Sequence, residues 1–148
     1  MPDKVVRDPV AAEDVAPNRR RGGDIRILLS PKTADSTSGF MGVLTLKAGE
    51  YVSEHYHPYS EEFLYVQSGT LAMTVEGAVI DLVAGQAFMV PKNARHRLVN
   101  TGTETAFVVF QLGPLAPRPE LGHVDTEPLP AADEPIAAVG APAGKGDG

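Results

Sequence analysis

Cysteine is missing from this chain, which rules out a disulfide and a thiolate metal ligand and fits a reducing compartment. Basic residues are in the minority. The 13 Lys and Arg against 19 Asp and Glu give a net charge of −6, which argues against nucleic acid or an anionic membrane as the main partner. No apolar run approaches membrane-spanning length, and the opening MPDKVVRDPVAAEDVAP holds no apolar signal segment, so a soluble cytoplasmic protein is expected. Helical periodicity and internal repeats are lacking as well, which points to one all-β unit. The length of 148 residues suits a single domain, and 43% hydrophobic residues are enough for a modest core.

What is there is a series of short strands. Asp24 to Ser30 places Ile25, Ile27 and Leu29 on one face, and Pro31 to Gly39 reads as a turn-rich loop. Strands then follow at Phe40–Leu46, on either side of a histidine-bearing stretch, and at Thr70–Val75, Ala78–Val83, Gln86–Val90, Arg95–Asn100 and Ala106–Phe110. Strands of this length, with Gly or Pro turns at nearly regular spacing, predict an antiparallel sandwich or barrel. Residues 1–23 are expected to form an arm, whose Arg19-Arg20-Arg21 run reads as a solvated charge cluster or as a docking spot for an acidic partner. The domain is expected over residues 24–113. From 114 to 148 the composition turns to Pro, Ala and Gly, with disorder expected after residue 126.

The stretch from Gly49 to Gly69, GEYVSEHYHPYSEEFLYVQSG, carries the chemistry. His55 and His57 are two apart, so in a strand their imidazoles project to one face. Neutral imidazole is the commonest protein ligand for a divalent metal, and His96 is the further histidine within the apolar part of the chain. Strand parity separates Glu61 from Glu62 and turns Glu62 towards the histidine side. The plain alternative is that these are satisfied core or surface histidines. Ligand type admits Zn, Fe, Ni, Cu, Co or Mn. Phe40, Tyr51, Phe63, Tyr65, Phe88, Phe107 and Phe110 are candidates to line an apolar cavity beside the site, or simply to fill the core.

The spacing Gly49, His55, His57, Glu62, Gly69, followed by Gly85, Pro91, His96 and Asn100, resembles the two motifs of the cupin superfamily. Asn93 stands where that family usually has glycine, and Asn is the residue that best tolerates a left-handed backbone in its place. The resemblance implies a single-domain cupin of jelly-roll type, with His55, His57, Glu62 and His96 as an N3O set around one divalent ion per subunit. Four protein donors on a six-coordinate ion leave room for water or substrate oxygens.

A narrower likeness rests on LLSPKT from Leu28, SGFMG from Ser38, HPYSEEFLYV from His57 and RPELGH from Arg118. Together these resemble the small cupin cyclases of aromatic polyketide biosynthesis, over residues 24 to 125. The likeness implies a divalent ion, often zinc, a homodimer, and ring closure in a poly-β-keto chain carried by an acyl carrier protein. It also implies a pocket role for His123, as acid, base or extra ligand, against the plain reading of a surface histidine. Arg118 pairs with an acidic group of the substrate or anchors the tail. The rival expectations are an Fe-dependent mono- or dioxygenase on the same ligands, and a non-catalytic binder in which the metal only anchors a small molecule.

Overall fold

The computed structural model describes residues 6–139. The chain alternates along each strand between buried apolar and exposed side chains, and that alternation builds two sheets. In β4 (Glu61–Ser68), Leu64 and Val66 are buried while Phe63 and Tyr65 face out. In β9 (Ala106–Gly113), Ala106, Val108, Phe110 and Leu112 all face in. With β1 (Asp24–Leu29), β2 (Phe40–Leu46) and β7 (Ala87–Val90) they form one antiparallel sheet in the order β1-β2-β9-β4-β7. The second sheet holds β3 (Tyr51–Tyr56), β5 (Thr70–Val75), β6 (Ala78–Val83), β8 (His96–Val99) and β10 (Val124–Asp125), in the order β10-β3-β8-β5-β6. This is the antiparallel all-β sandwich that the strand spacing predicts, of the jelly-roll type that the resemblance implies.

The inner faces share one core. Leu44, Leu46, Val66 and Val108 from the first sheet meet Leu71, Met73, Leu82 and Leu98 from the second. Each fully buried Leu or Met side chain contributes about 1.5–3 kcal/mol by leaving water. Buried Asn100 closes one end of the barrel. Its Nδ2 donates to Leu46 O at 2.9 Å and Glu104 O at 2.8 Å, and its Oδ1 accepts from Gly102 N at 2.9 Å. Several turns take left-handed backbone, Gly69 and Asn93 among them. Gly69 has φ +85°, and a Cβ there would sit 2.7 Å from Ala106 Cα. Asn93 takes φ +69°, as expected of an Asn in a glycine position, and its N–H donates to His57 O at 3.0 Å.

Three expectations change. The loop after β1 opens with one helical turn, α1 (Pro31–Ala34), in which Ser30 N donates to Thr33 Oγ1 at 3.0 Å and Pro31 occupies the first helical position. The arm is not detached from the core, because Asn18 bridges to Ile25. The tail is not loose after residue 126, as far as residue 139. Arg20 Nη1 donates to Ala132 O at 2.8 Å and Glu134 O at 2.6 Å, and Asn18 Nδ2 donates to Pro135 O at 2.9 Å. A Pro-rich segment has few N–H donors for its own carbonyls, and these side chains satisfy three of them from more than a hundred residues away. The folded unit therefore extends beyond 24–113, since β10 pairs with β3. The expectations for residues 1–5 and 140–148 lie outside the described residues. Among the described residues no helix is long and apolar enough to cross a membrane.

Candidate metal centre

A β-bulge sets the first ligand. Val52 lies opposite Leu98 and His55 opposite His96, so β3 carries one residue more than β8 over that span. The extra residue resets the alternation, and Val52 and His55 both face the interior although they are three apart. His57 follows just past the end of β3, and His96 opens β8 beside it. One ring nitrogen from each of His55, His57 and His96 lies within 4.8 Å of the others, a group able to hold a metal ion. Glu62 reaches the same point from β4 in the facing sheet. Its Oε1 is 3.0 Å from His96 Nε2 and 3.7 Å from His57 Nε2.

The hydrogen bonds fix the tautomers. His55 Nδ1 bonds Ser53 O at 2.8 Å, His57 Nδ1 bonds Gly122 O at 2.9 Å, and His96 Nδ1 bonds Ala94 O at 2.9 Å. A carbonyl oxygen only accepts, so each Nδ1 carries the proton and each neutral ring turns an Nε2 lone pair to the centre. Backbone carbonyls orient metal-binding histidines in this way. Nε2 of His57 and of His96 is buried with no hydrogen-bond partner among the described residues, despite the nearby carboxylate. Buried lone pairs facing a carboxylate repel one another unless a proton or a cation lies between them. The donor set therefore fits a cation.

The electrostatics agree. Burial pushes the His55 imidazolium well down, and His96 and His57 beside it push further. Burial works against the Glu62 carboxylate, but the His57 and His96 rings, whose Nε2 atoms lie 3.7 and 3.0 Å from its Oε1, outweigh it and hold the pKa well below the usual range. His96 is also opposed by burial, and the Glu62 carboxylate still raises its pKa. A centre without a cation would thus share a proton between Glu62 and His96, in the place a metal would take.

The centre lines a cavity of about 110 Å³. Ile27, Phe40, Leu44, Met73, Phe110 and Leu112 supply apolar walls, and Ala137 and Val139 of the C-terminal strap cover part of it. Of the aromatic candidates only Phe40 and Phe110 line this space. Phe63 and Tyr65 are exposed on the outer face of β4, Tyr51 lies under the Arg97 guanidinium at 4.4 Å, Phe88 packs at the edge of the core, and Phe107 is half-buried.

His123 lines the cavity, with its side chain 9% exposed and Nε2 3.9 Å from Asp125 Oδ2. Burial and then the Arg21 cation lower its pKa to about 4. Arg118 is not brought to the site. Its side chain is 64% exposed and pairs with Glu120 at 3.2 Å, because the Pro119–Leu121 turn carries it out to solvent. The sequence reading missed Arg21 and Asp125. Arg21 Nε pairs with Asp125 Oδ1 at 2.9 Å, and Arg21 lines the cavity beside the histidines. The basic run was visible in the sequence, but nothing local showed that its last member turns inward.

Residues 42–111 match the Cupin domain family. The chain is 59% identical over 118 residues to Protein SchB of Streptomyces halstedii, spanning 80% of this chain and 86% of that protein. It is 51% identical to Polyketide synthase CurC of Streptomyces cyaneus, spanning 92% of this chain and 88% of that protein. It is 50% identical to Tetracenomycin polyketide synthase protein TcmJ of Streptomyces glaucescens, spanning 82% of this chain and 81% of that protein. Among solved structures, a predicted oxalate decarboxylase from Thermotoga maritima superposes with a TM-score of 0.63 at 20% identity, over 72% of this chain and 98% of that one. That likeness bears on the fold alone. The two motifs, the double sheet and these relatives together make the chain a member of the cupin superfamily, in the same family as SchB, CurC and TcmJ.

Proposed function

We propose that this protein is a metal-dependent cyclase that closes a ring, by aldol-type condensation and loss of water, in an aromatic poly-β-keto intermediate carried by an acyl carrier protein. The observation that carries the reading is a set of three oriented imidazoles and one carboxylate lining an apolar cavity. The names of the relatives CurC and TcmJ, both polyketide synthase proteins, support the substrate class. Zinc is the first choice of ion. His55, His57 and His96 would hold it through Nε2, with Glu62 as the fourth donor. When bound, the divalent ion supplies Lewis-acid polarisation of substrate keto oxygens.

The remaining work falls to the chain itself. The methylene between two carbonyls is acidic, and His123, neutral at physiological pH, offers a lone pair to take its proton. Asp125, 3.9 Å away, stabilises the imidazolium that results. The carbanion's electron pair forms a bond to a second keto carbon. That carbon's oxygen takes a proton to become a hydroxyl. The hydroxyl then leaves as water while the neighbouring carbon gives up a second proton to form the double bond, and enolisation of the remaining ring ketones completes the aromatic ring. A cavity of about 150 Å³ holds one benzene-sized ring, and this space of about 110 Å³ is smaller, so the reacting segment would extend beyond it with the rest of the chain outside. The apolar walls exclude water and limit which carbons can meet. The reading includes a homodimer, supported by the exposed pair Phe63 and Met89 on the outer face of β4 and β7.

The test supplies zinc-loaded and metal-stripped protein to a minimal polyketide synthase under nitrogen and profiles the products. A metal-dependent shift to one cyclised product is expected. Oxygen uptake by iron-loaded protein with hydroxylated product would replace the cyclase by an oxygenase, and release of unchanged polyketide would leave only a binder.

A further inference from the structure

Arg21 is mounted rigidly and only part of its guanidinium is engaged. Its carbonyl accepts from Ser53 N at 2.9 Å, two residues before His55, so its backbone is tied to the strand that bears the first ligand. Gly22 follows at φ +101°, where a Cβ would lie 2.1 Å from Tyr51 O, and only glycine lets the chain run this close to β3. Nε is held by Asp125 at 2.9 Å. Nη2 is buried and has no hydrogen-bond partner among the described residues. The neighbouring Arg20 also leaves one buried nitrogen, Nε, without a partner, but its Nη1 is taken by two strap carbonyls, whereas Nη2 of Arg21 is an outer donor of the fork. A buried guanidinium N–H left without an acceptor costs stability, and a planar fork with one edge pinned presents its other donors in a fixed direction. The side chain lines the same cavity as His55, His57, His96 and Glu62.

We infer that Arg21 is the second anchor for substrate oxygen. Its Nη2 donates to one keto oxygen of a β-dicarbonyl unit whose other keto oxygen would lie at the metal centre, so that the methylene between them is the one that loses its proton. This rests on the cyclase reading for the reaction, though the binding itself does not. As the methylene proton passes to a base, the electron pair of its C–H bond spreads onto both oxygens, and the hydrogen bond from Nη2 becomes charge-assisted. The arrangement selects substrates with two carbonyl oxygens one carbon apart over simple ketones.

The test uses 2,4-pentanedione, the smallest such unit, titrated calorimetrically into zinc-loaded protein, with 2-pentanone as the comparison. Arg21→Met should keep stoichiometric zinc by elemental analysis and bind the diketone about 10- to 100-fold more weakly, the loss of one hydrogen bond to a charged group. Arg21→Lys keeps the charge opposite Asp125 and should fold even if the Met variant does not. It should bind at an intermediate strength, since an ammonium cannot reproduce the fork. Diketone binding by folded, zinc-replete Arg21→Met or Arg21→Lys at wild-type strength overturns the inference, and so does a wild type that binds diketone no better than 2-pentanone. If the wild type binds diketone through Arg21 but yields no cyclised polyketide, the cyclase reading falls and the anchor stands. If cyclisation proceeds and the variants bind normally, only the anchor falls.

Discussion

Replacing His57 with alanine removes two interactions that can be measured separately. The first is the hydrogen bond from Nδ1 to Gly122 O at 2.9 Å, which ties the end of β3 to the turn before β10. One such bond is worth about 1 kcal/mol net, or about 2–4 °C in Tm for a chain of this size. The second is a donor of the metal centre, whose buried Nε2 has no other partner among the described residues. Loss of a residue that merely orients a ligand costs up to about 100-fold in metal affinity, and loss of a ligand costs at least that. With free zinc at about 100 times the wild-type Kd, binding stabilises the wild type by about 2.7 kcal/mol, and a 100-fold weaker variant by only about 0.4 kcal/mol. The zinc-induced rise in Tm should therefore shrink by about 5–9 °C, on top of the smaller loss in metal-free protein. Differential scanning calorimetry with and without zinc, paired with elemental analysis, reads both effects. A His57→Ala protein that binds one zinc per chain and shows the full wild-type rise in Tm would refute the assignment of His57 as a ligand.

Three further outcomes are expected. In metal-free protein, His55 and His123 have folded-state pKa values below the ordinary histidine value of 6.5, so the unfolded chain binds protons first; their contribution to stability is full above pH 6.5 and falls as pH drops towards 4. His123→Gln should flatten part of that slope in urea titrations at successive pH values, and an unchanged slope would show that His123 does not titrate as described. Asn100→Ala leaves Leu46 O, Glu104 O and Gly102 N without their partner, and should cost about 2–4 kcal/mol in urea unfolding; a loss under about 0.5 kcal/mol would contradict its place in the core. Ending the chain after Pro130 removes Ala137 and Val139 from the cavity but none of the four donors. Zinc content should persist while a chelator extracts the metal several-fold faster, and an unchanged extraction rate would show that the strap does not guard the site.

Much of the candidate site was legible because its residues lie on strands whose periodicity is local. Glu62 shares a face with Leu64 and Val66, and Glu61 does not, as alternation requires. His96 opens one short strand and Asn100 lies just past its end. The aromatic cavity was misjudged for a related reason. Parity along β4 also sends Phe63 and Tyr65 outward, and the walls are mostly aliphatic instead. The bulge between Val52 and His55 left no mark in composition. It nevertheless decides that Val52 and His55 face the same way.

The sequence by itself determined the kinds of donor, their spacing, and the strand alternation that turns them inward, since each of these depends on residues a few positions apart. Only the tertiary structure decided that Arg21 and Asp125, 104 residues apart, pair beside the histidines, and that the Pro-rich tail crosses the cavity rather than trailing from it. Such contacts are set when two sheets and a strap pack together. Their partners are chosen by geometry and by the need to satisfy buried polar groups, which no local pattern records.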